Sequence, residues 1–149
     1  MPRVTAVHIA LGVAVVVVNL AAGAWGAWAW WKGRHAPGFW PLLRTGQALV
    51  AVEAALGGVL VLAGKELPSL HLVYGLTPLA VGFFAEQLRL ISAQAELDRR
   101  NLDGREAVAA LSEADQRQLV RAIVRREIGV MAASALVVAL LGLRAGEWL

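Results

Sequence analysis

The chain has no cysteine. Disulfides, thiolate metal centres and cysteine nucleophiles are therefore excluded, and the redox compartment is left open. Charge is also scarce. Asp, Glu, Lys and Arg make up 17% of the 149 residues, whereas a soluble chain carries about a quarter. No glycine-rich phosphate loop, no serine in a nucleophile turn and no HExxH pair occurs, which removes the commoner phosphoryl-transfer, acyl-transfer and zinc-protease chemistries. Whether the chain is an enzyme at all stays open.

What it has instead is apolar residues, 58% of the total, gathered in blocks rather than spread periodically. That composition predicts an integral membrane protein whose single domain spans residues 1–149, with the lipid bilayer as its main partner. A net charge of +3 does not argue for nucleic acid, because the basic residues flank apolar segments, where the positive-inside rule accounts for them.

Four membrane helices are expected, at about residues 4–31, 42–64, 69–89 and 120–143. The first begins like a signal peptide, but its apolar run continues into Trp25, Trp28, Trp30 and Trp31. Such a cluster belongs to a membrane interface, so the segment reads as a retained helix. Lys32 to Gly38 form a basic turn, and Gly64-Lys65-Glu66-Leu67-Pro68 a second one. The third helix should run on past Arg89, because residues 87–100 contain no breaker. Ser112 and Asp115 resemble a capping box that opens the fourth helix.

Residues 90–126 then form a helical hairpin. It carries Arg99, Arg100, Arg105, Arg117, Arg121, Arg125 and Arg126, and the turn after the first segment carries Lys32 and Arg34. Both basic connections should face the cytoplasm, leaving both termini outside the cell (inner) membrane. The hairpin reads either as a solvated, salt-bridged extension or as a docking surface for a protein partner through Arg117, Arg121 and Arg125.

Helical spacing groups the polar and small residues. His8, Gly12, Asn19, Gly23 and Gly26 share one face of segment one, and Gly46, Glu53, Gly57 and Gly64 one face of segment two. His71, Gly75, Pro78, Gly82, Glu86 and Arg89 form a stripe on segment three, while segment four offers Ala132, Ala135, Ala139 and Gly142. Small residues allow close approach and polar ones avoid lipid, so these faces should meet in an all-α, antiparallel four-helix bundle.

His8 and His71 lie at similar depth, and each is followed four residues later by a glycine, Gly12 and Gly75. Two imidazoles at one depth suit the axial ligation of haem b, with the glycines leaving room for a flat macrocycle and Arg3 and Lys65 near its propionates. This arrangement is similar to that of membrane-bound b-type cytochromes and implies electron transfer. Zinc lacks third and fourth ligands. The blander reading makes each histidine an interfacial residue.

Glu53 sits mid-segment with no basic residue at its depth. It should be hydrogen-bonded or face a wet cavity, with Asn19 the nearest candidate partner and Tyr74 or Gln47 reachable across a cavity. It serves either as interhelical glue or as a proton, ion or ligand contact in a small channel or transporter. Glu86 and Arg89 read as a local ion pair. A further reading makes the whole chain a non-catalytic accessory or assembly subunit. The stretch from His71 to Met131, with HLVYG, AEQLR, ELDRR and IVRREIGVMA, resembles small uncharacterised bacterial four-helix membrane proteins. That resemblance implies the architecture and no activity.

Overall fold

Five α-helices make up nearly all of the computed structural model, which describes residues 2–66 and 69–146. They are α1 (Pro2–Lys32), α2 (Phe39–Leu62), α3 (Ser69–Arg99), α4 (Gly104–Ala109) and α5 (Glu113–Ala145). Leu67 and Pro68, expected in the turn before the third segment, lie outside the described residues. The chain therefore folds as an all-α bundle. Among the described residues three helices are long and apolar enough to cross a membrane, over Arg3–Lys32, Phe39–Leu62 and Glu113–Ala145. Helix α3 is as long as α1, at 31 residues, but His71, Tyr74, Thr77, Pro78 and Glu86 interrupt its apolar run.

Local chemistry sets the helix ends. After α1, Gly33 takes φ +62°, and the Arg34 amide reaches back to the Ala29 carbonyl at 2.9 Å. After α2, Gly64 does the same at φ +79°, with Lys65 N–H donating to Leu60 O at 3.1 Å. Both closures satisfy the orphan carbonyls of a last turn in the way that a left-handed cap allows. Helix α2 starts at Phe39 rather than Leu42, because Pro41 falls in the first turn, where its missing N–H costs nothing. Helix α5 opens on Ser112, whose hydroxyl accepts from Asp115 N–H at 3.2 Å, and then runs unbroken for 33 residues.

Helix α1 packs along α2 and α5, and α5 also packs along α3, whereas α2 and α3 touch only lightly. The result is a ring of four antiparallel helices with one loose seam, between α2 and α3. One end of the bundle holds the start of α1, the end of α2, the start of α3 and the end of α5, and is called the terminal end below. The other holds the α1–α2 turn and the short α4, and is called the hairpin end below.

Packing is concentrated at the hairpin end. Phe39, Leu43, Met131, Ala132 and Ala135 are fully buried there together with Ala22 and Ala29. Glycines make it possible: a Cβ at Gly26 would stand 2.5 Å from the Phe39 ring and 2.8 Å from Ala132 Cβ. At Gly23 it would lie 2.6 Å from Leu136 Cγ. Towards the terminal end the buried cluster thins to Val15, Val50 and Val138. The outside of the bundle stays apolar, with Val17, Leu20, Val52, Val59, Leu72, Phe83, Phe84, Val137 and Leu140 all exposed.

The base of the hairpin is held by charge. Glu96, completely buried, is paired with Arg99, with Arg100 at 3.1 Å and with Arg126 of α5 at 3.3 Å. Burial pushes its carboxyl up, but the Arg100 hydrogen bond and the charges of Arg99 and Arg126 outweigh that and hold it below its ordinary value. Of the three arginines read as a docking surface, Arg125 is already engaged: it donates to the Trp30 carbonyl at 3.0 Å and stacks over that ring. Arg117 is exposed and pairs with Glu113 at 3.6 Å, and Arg121 is exposed.

Candidate functional site

Helix α1 presents His8, helix α2 presents Glu53 and helix α3 presents His71, and the bundle brings all three to the wall of one cavity at the terminal end. The cavity measures about 630 Å³ and is otherwise lined almost wholly by apolar side chains and glycine, with contributions from all four long helices. Gly12, Tyr74 and Gly75 also line it. A Cβ at Gly75 or Gly58 would meet nothing within 4 Å, so on the two sides of the α2–α3 seam glycine leaves open space instead of contact.

The polar groups are unevenly satisfied. His71 Nδ1 lies 3.0 Å from the Ala145 carbonyl. A carbonyl only accepts, so this nitrogen carries the hydrogen and Nε2 is left for other partners. The bond uses one of the orphan carbonyls in the last turn of α5. His8 Nδ1 stands 3.1 Å from Glu53 Oε1, yet it makes no hydrogen bond, and neither does the second Glu53 oxygen, Oε2. Both atoms are buried. An unsatisfied buried polar group costs about 1–3 kcal/mol. Two adjacent ones in a single wall mark a place where a ligand group would be stabilised.

Haem ligation by His8 and His71 is not supported. The two rings meet edge to face, with centroids 6.0 Å apart and planes at 63°, so they are in contact rather than on either side of a slot for a macrocycle. Nδ1 of His71 faces the Ala145 carbonyl and Nδ1 of His8 faces Glu53. Among the described residues no group of three or more His, Cys, Asp or Glu side chains could hold a metal ion. The electron-transfer reading goes with the haem, and Arg3 and Lys65 lose their role beside propionates. The space ascribed to Gly12 is taken by Glu53 itself, whose Oε1 would stand 3.1 Å from a Cβ there.

Other expected pairings are redistributed. The close neighbour of Glu53 is His8, not Asn19. Asn19 is buried, donates to the Val15 carbonyl at 2.9 Å and packs against Gly46. Gln47 donates to Glu86 at 3.1 Å. Glu86 accepts from Arg89 at 3.1 Å and is also bound by Arg44, so the local ion pair becomes part of a bridge between α2 and α3. Arg89 extends that bridge to Glu127 of α5 at 3.6 Å. His35 lies in the exposed turn after α1, away from the other two histidines.

Sequence reasoning missed the Ala145 carbonyl and the buried Glu96. The first had no residue-type signal. The second did, since Arg99 and Arg100 stand three and four residues beyond Glu96, the spacing that pairs side chains on a helix. The chain matches no family model, no curated protein and no solved structure.

Proposed function

We propose that this chain is a multi-pass protein of the cell membrane that binds a lipid, seating its head group on His8, Glu53 and His71. In this reading α1, α2, the apolar part of α3 and α5 cross the bilayer. The hairpin projects into the cytoplasm and both termini lie outside. Support for the setting comes from the apolar outer surface of the bundle, which in water would be an extended sticky patch. It comes also from the concentration of arginine at the hairpin end.

The observation that carries the function is the His8–Glu53 pair, 3.1 Å apart, with His8 Nδ1 and Glu53 Oε2 buried and without a hydrogen bond, in the wall of an otherwise apolar cavity of about 630 Å³. A head group that both donates and accepts hydrogen bonds satisfies the two at once. The apolar lining and the loose seam suit a molecule whose remaining bulk is hydrocarbon. A small polar metabolite would leave that lining uncovered.

Native mass spectrometry of the detergent-purified protein tests this. Wild-type protein should retain one lipid per chain through delipidating washes, and Glu53→Leu and His8→Phe should lose it while His35→Ala keeps it. Equal retention by all four proteins would remove the proposed site.

A further inference from the structure

The seam does not end at His8 and Glu53. A second cavity, of about 240 Å³, lies along it towards the hairpin end, and Val50 and Pro78 line both cavities. Two half-open chambers therefore lie in series along the lightly paired α2–α3 seam, meeting at Val50 and Pro78. The two chambers offer the same pair of functions. In the larger one a carboxylate, Glu53, stands beside the His8 imidazole, whose ring meets that of His71. In the smaller one a carboxylate, Glu86, stands beside the Arg44 guanidinium and the Gln47 amide. The larger chamber can receive an ammonium on Glu53, and the smaller one a phosphate on the Arg44 guanidinium in exchange for its bridge to Glu86.

The junction is built from weak material. Pro78 sits inside α3 and has no N–H, so the Tyr74 carbonyl one turn earlier loses its helical donor and the helix can bend there. Tyr74 lines the larger chamber. Gly82, on the next turn, lines the smaller one, and a Cβ there would meet nothing within 4 Å. The ends of the path carry further charges: Arg89 and Glu127 beside Glu86, and Arg144 over the Tyr74 ring.

We propose that the α2–α3 seam passes the head group of an aminophospholipid between the two chambers, past Val50 and Pro78, while its acyl chains stay in the bilayer. This rests on the lipid-binding reading above. Transfer moves a lipid between leaflets without making or breaking a bond, so no co-reactant is required.

The test is a dithionite-quenching assay on phosphatidylcholine vesicles containing the protein and a trace of acyl-chain-labelled fluorescent phosphatidylethanolamine. With wild-type protein, quenching should proceed beyond the outer-leaflet half to near completion. Gly82→Leu adds bulk where a Cβ meets nothing within 4 Å and Leu79→Trp enlarges a side chain that lines the smaller chamber and not the larger one; either should return the plateau to half while native mass spectrometry still finds lipid bound. A wild-type plateau at half with lipid bound overturns the transfer and leaves the binding site standing. A plateau at half with no lipid bound overturns both. Near-complete quenching that persists in both variants overturns the seam as the route. Quenching of a soluble fluorophore trapped inside the vesicles shows an open pore and also overturns the proposal.

Discussion

Glycine does opposite work in two regions of this bundle, the hairpin-end core and the α2–α3 seam. At the hairpin end Gly23, Gly26 and Gly129 let helices close until a single added carbon would collide with a neighbour, at 2.6, 2.5 and 2.8 Å respectively. Along the α2–α3 seam Gly58, Gly75 and Gly82 adjoin nothing that a Cβ would touch, while Gly142 of α5, across the terminal end, again closes to 2.8 Å on Val16. The same residue type, on the same kind of helical face, thus makes a dense core in one region and a cavity in the other. What differs is the partner. Alanines of α5 and the Phe39 ring fill the first region, whereas the lightly paired α2 and α3 leave the second unfilled. One region holds the fold, and the other is free to hold a ligand.

Substitutions that add volume separate the two regions most strongly. Gly26→Leu drives carbon into Phe39 and Ala132 and should destabilise the protein by about 1–3 kcal/mol, seen as a clear drop in the detergent melting temperature. Were Gly26→Leu to melt like wild type, the hairpin-end core would not be as close-packed as described.

An intermediate effect is expected from Glu96→Gln, which leaves three arginines without their shared carboxylate. Because the folded-state pKa of Glu96 is lowered, its contribution is fully present above the unfolded value of 4.5 and disappears as pH falls through the lower folded value. Hydrogen exchange in residues 96–126 of the wild type should accelerate below that range. In Glu96→Gln it should already be fast at neutral pH and change less with acid. A wild type and variant with parallel pH profiles would show that this cluster does not hold the hairpin.

The smallest change in stability is expected from Gly75→Ala. It enters open space and gains helix propensity, a stabilisation of roughly 0.5–1 kcal/mol, yet it narrows the cavity and should weaken lipid retention. Loss of stability without loss of lipid would reverse the contrast between the two regions.

Much of the fold was legible because helical periodicity needs only one helix at a time. The face carrying His8, Gly12, Asn19, Gly23 and Gly26 follows from spacing, as does the small-residue face of Ala132, Ala135 and Ala139, which are buried. The register between helices does not follow, since a stripe fixes direction around an axis and not the height at which two stripes meet. Glu53 was therefore expected near Asn19 and stands instead against His8. The same limit produced the haem reading. Equal depth brings two histidines to one level, but whether a slot or a ring contact lies between them depends on distances that spacing does not contain. The Arg44–Glu86 bridge across the seam escaped notice for that reason, while its local part, Glu86 with Arg89, was readable three residues apart.

Cross-linking with a photoactivatable phosphatidylethanolamine in native membranes, mapped to residues by peptide mass spectrometry, tests the lipid site most directly. Adducts should concentrate on α1 around His8 and Gly12 and on α3 between His71 and Pro78, and should fall sharply in Glu53→Leu. Adducts spread evenly over the exposed apolar surface, at Val17, Phe84 and Leu140 as much as in the cavity and unchanged by Glu53→Leu, would mean that the cavity holds no lipid.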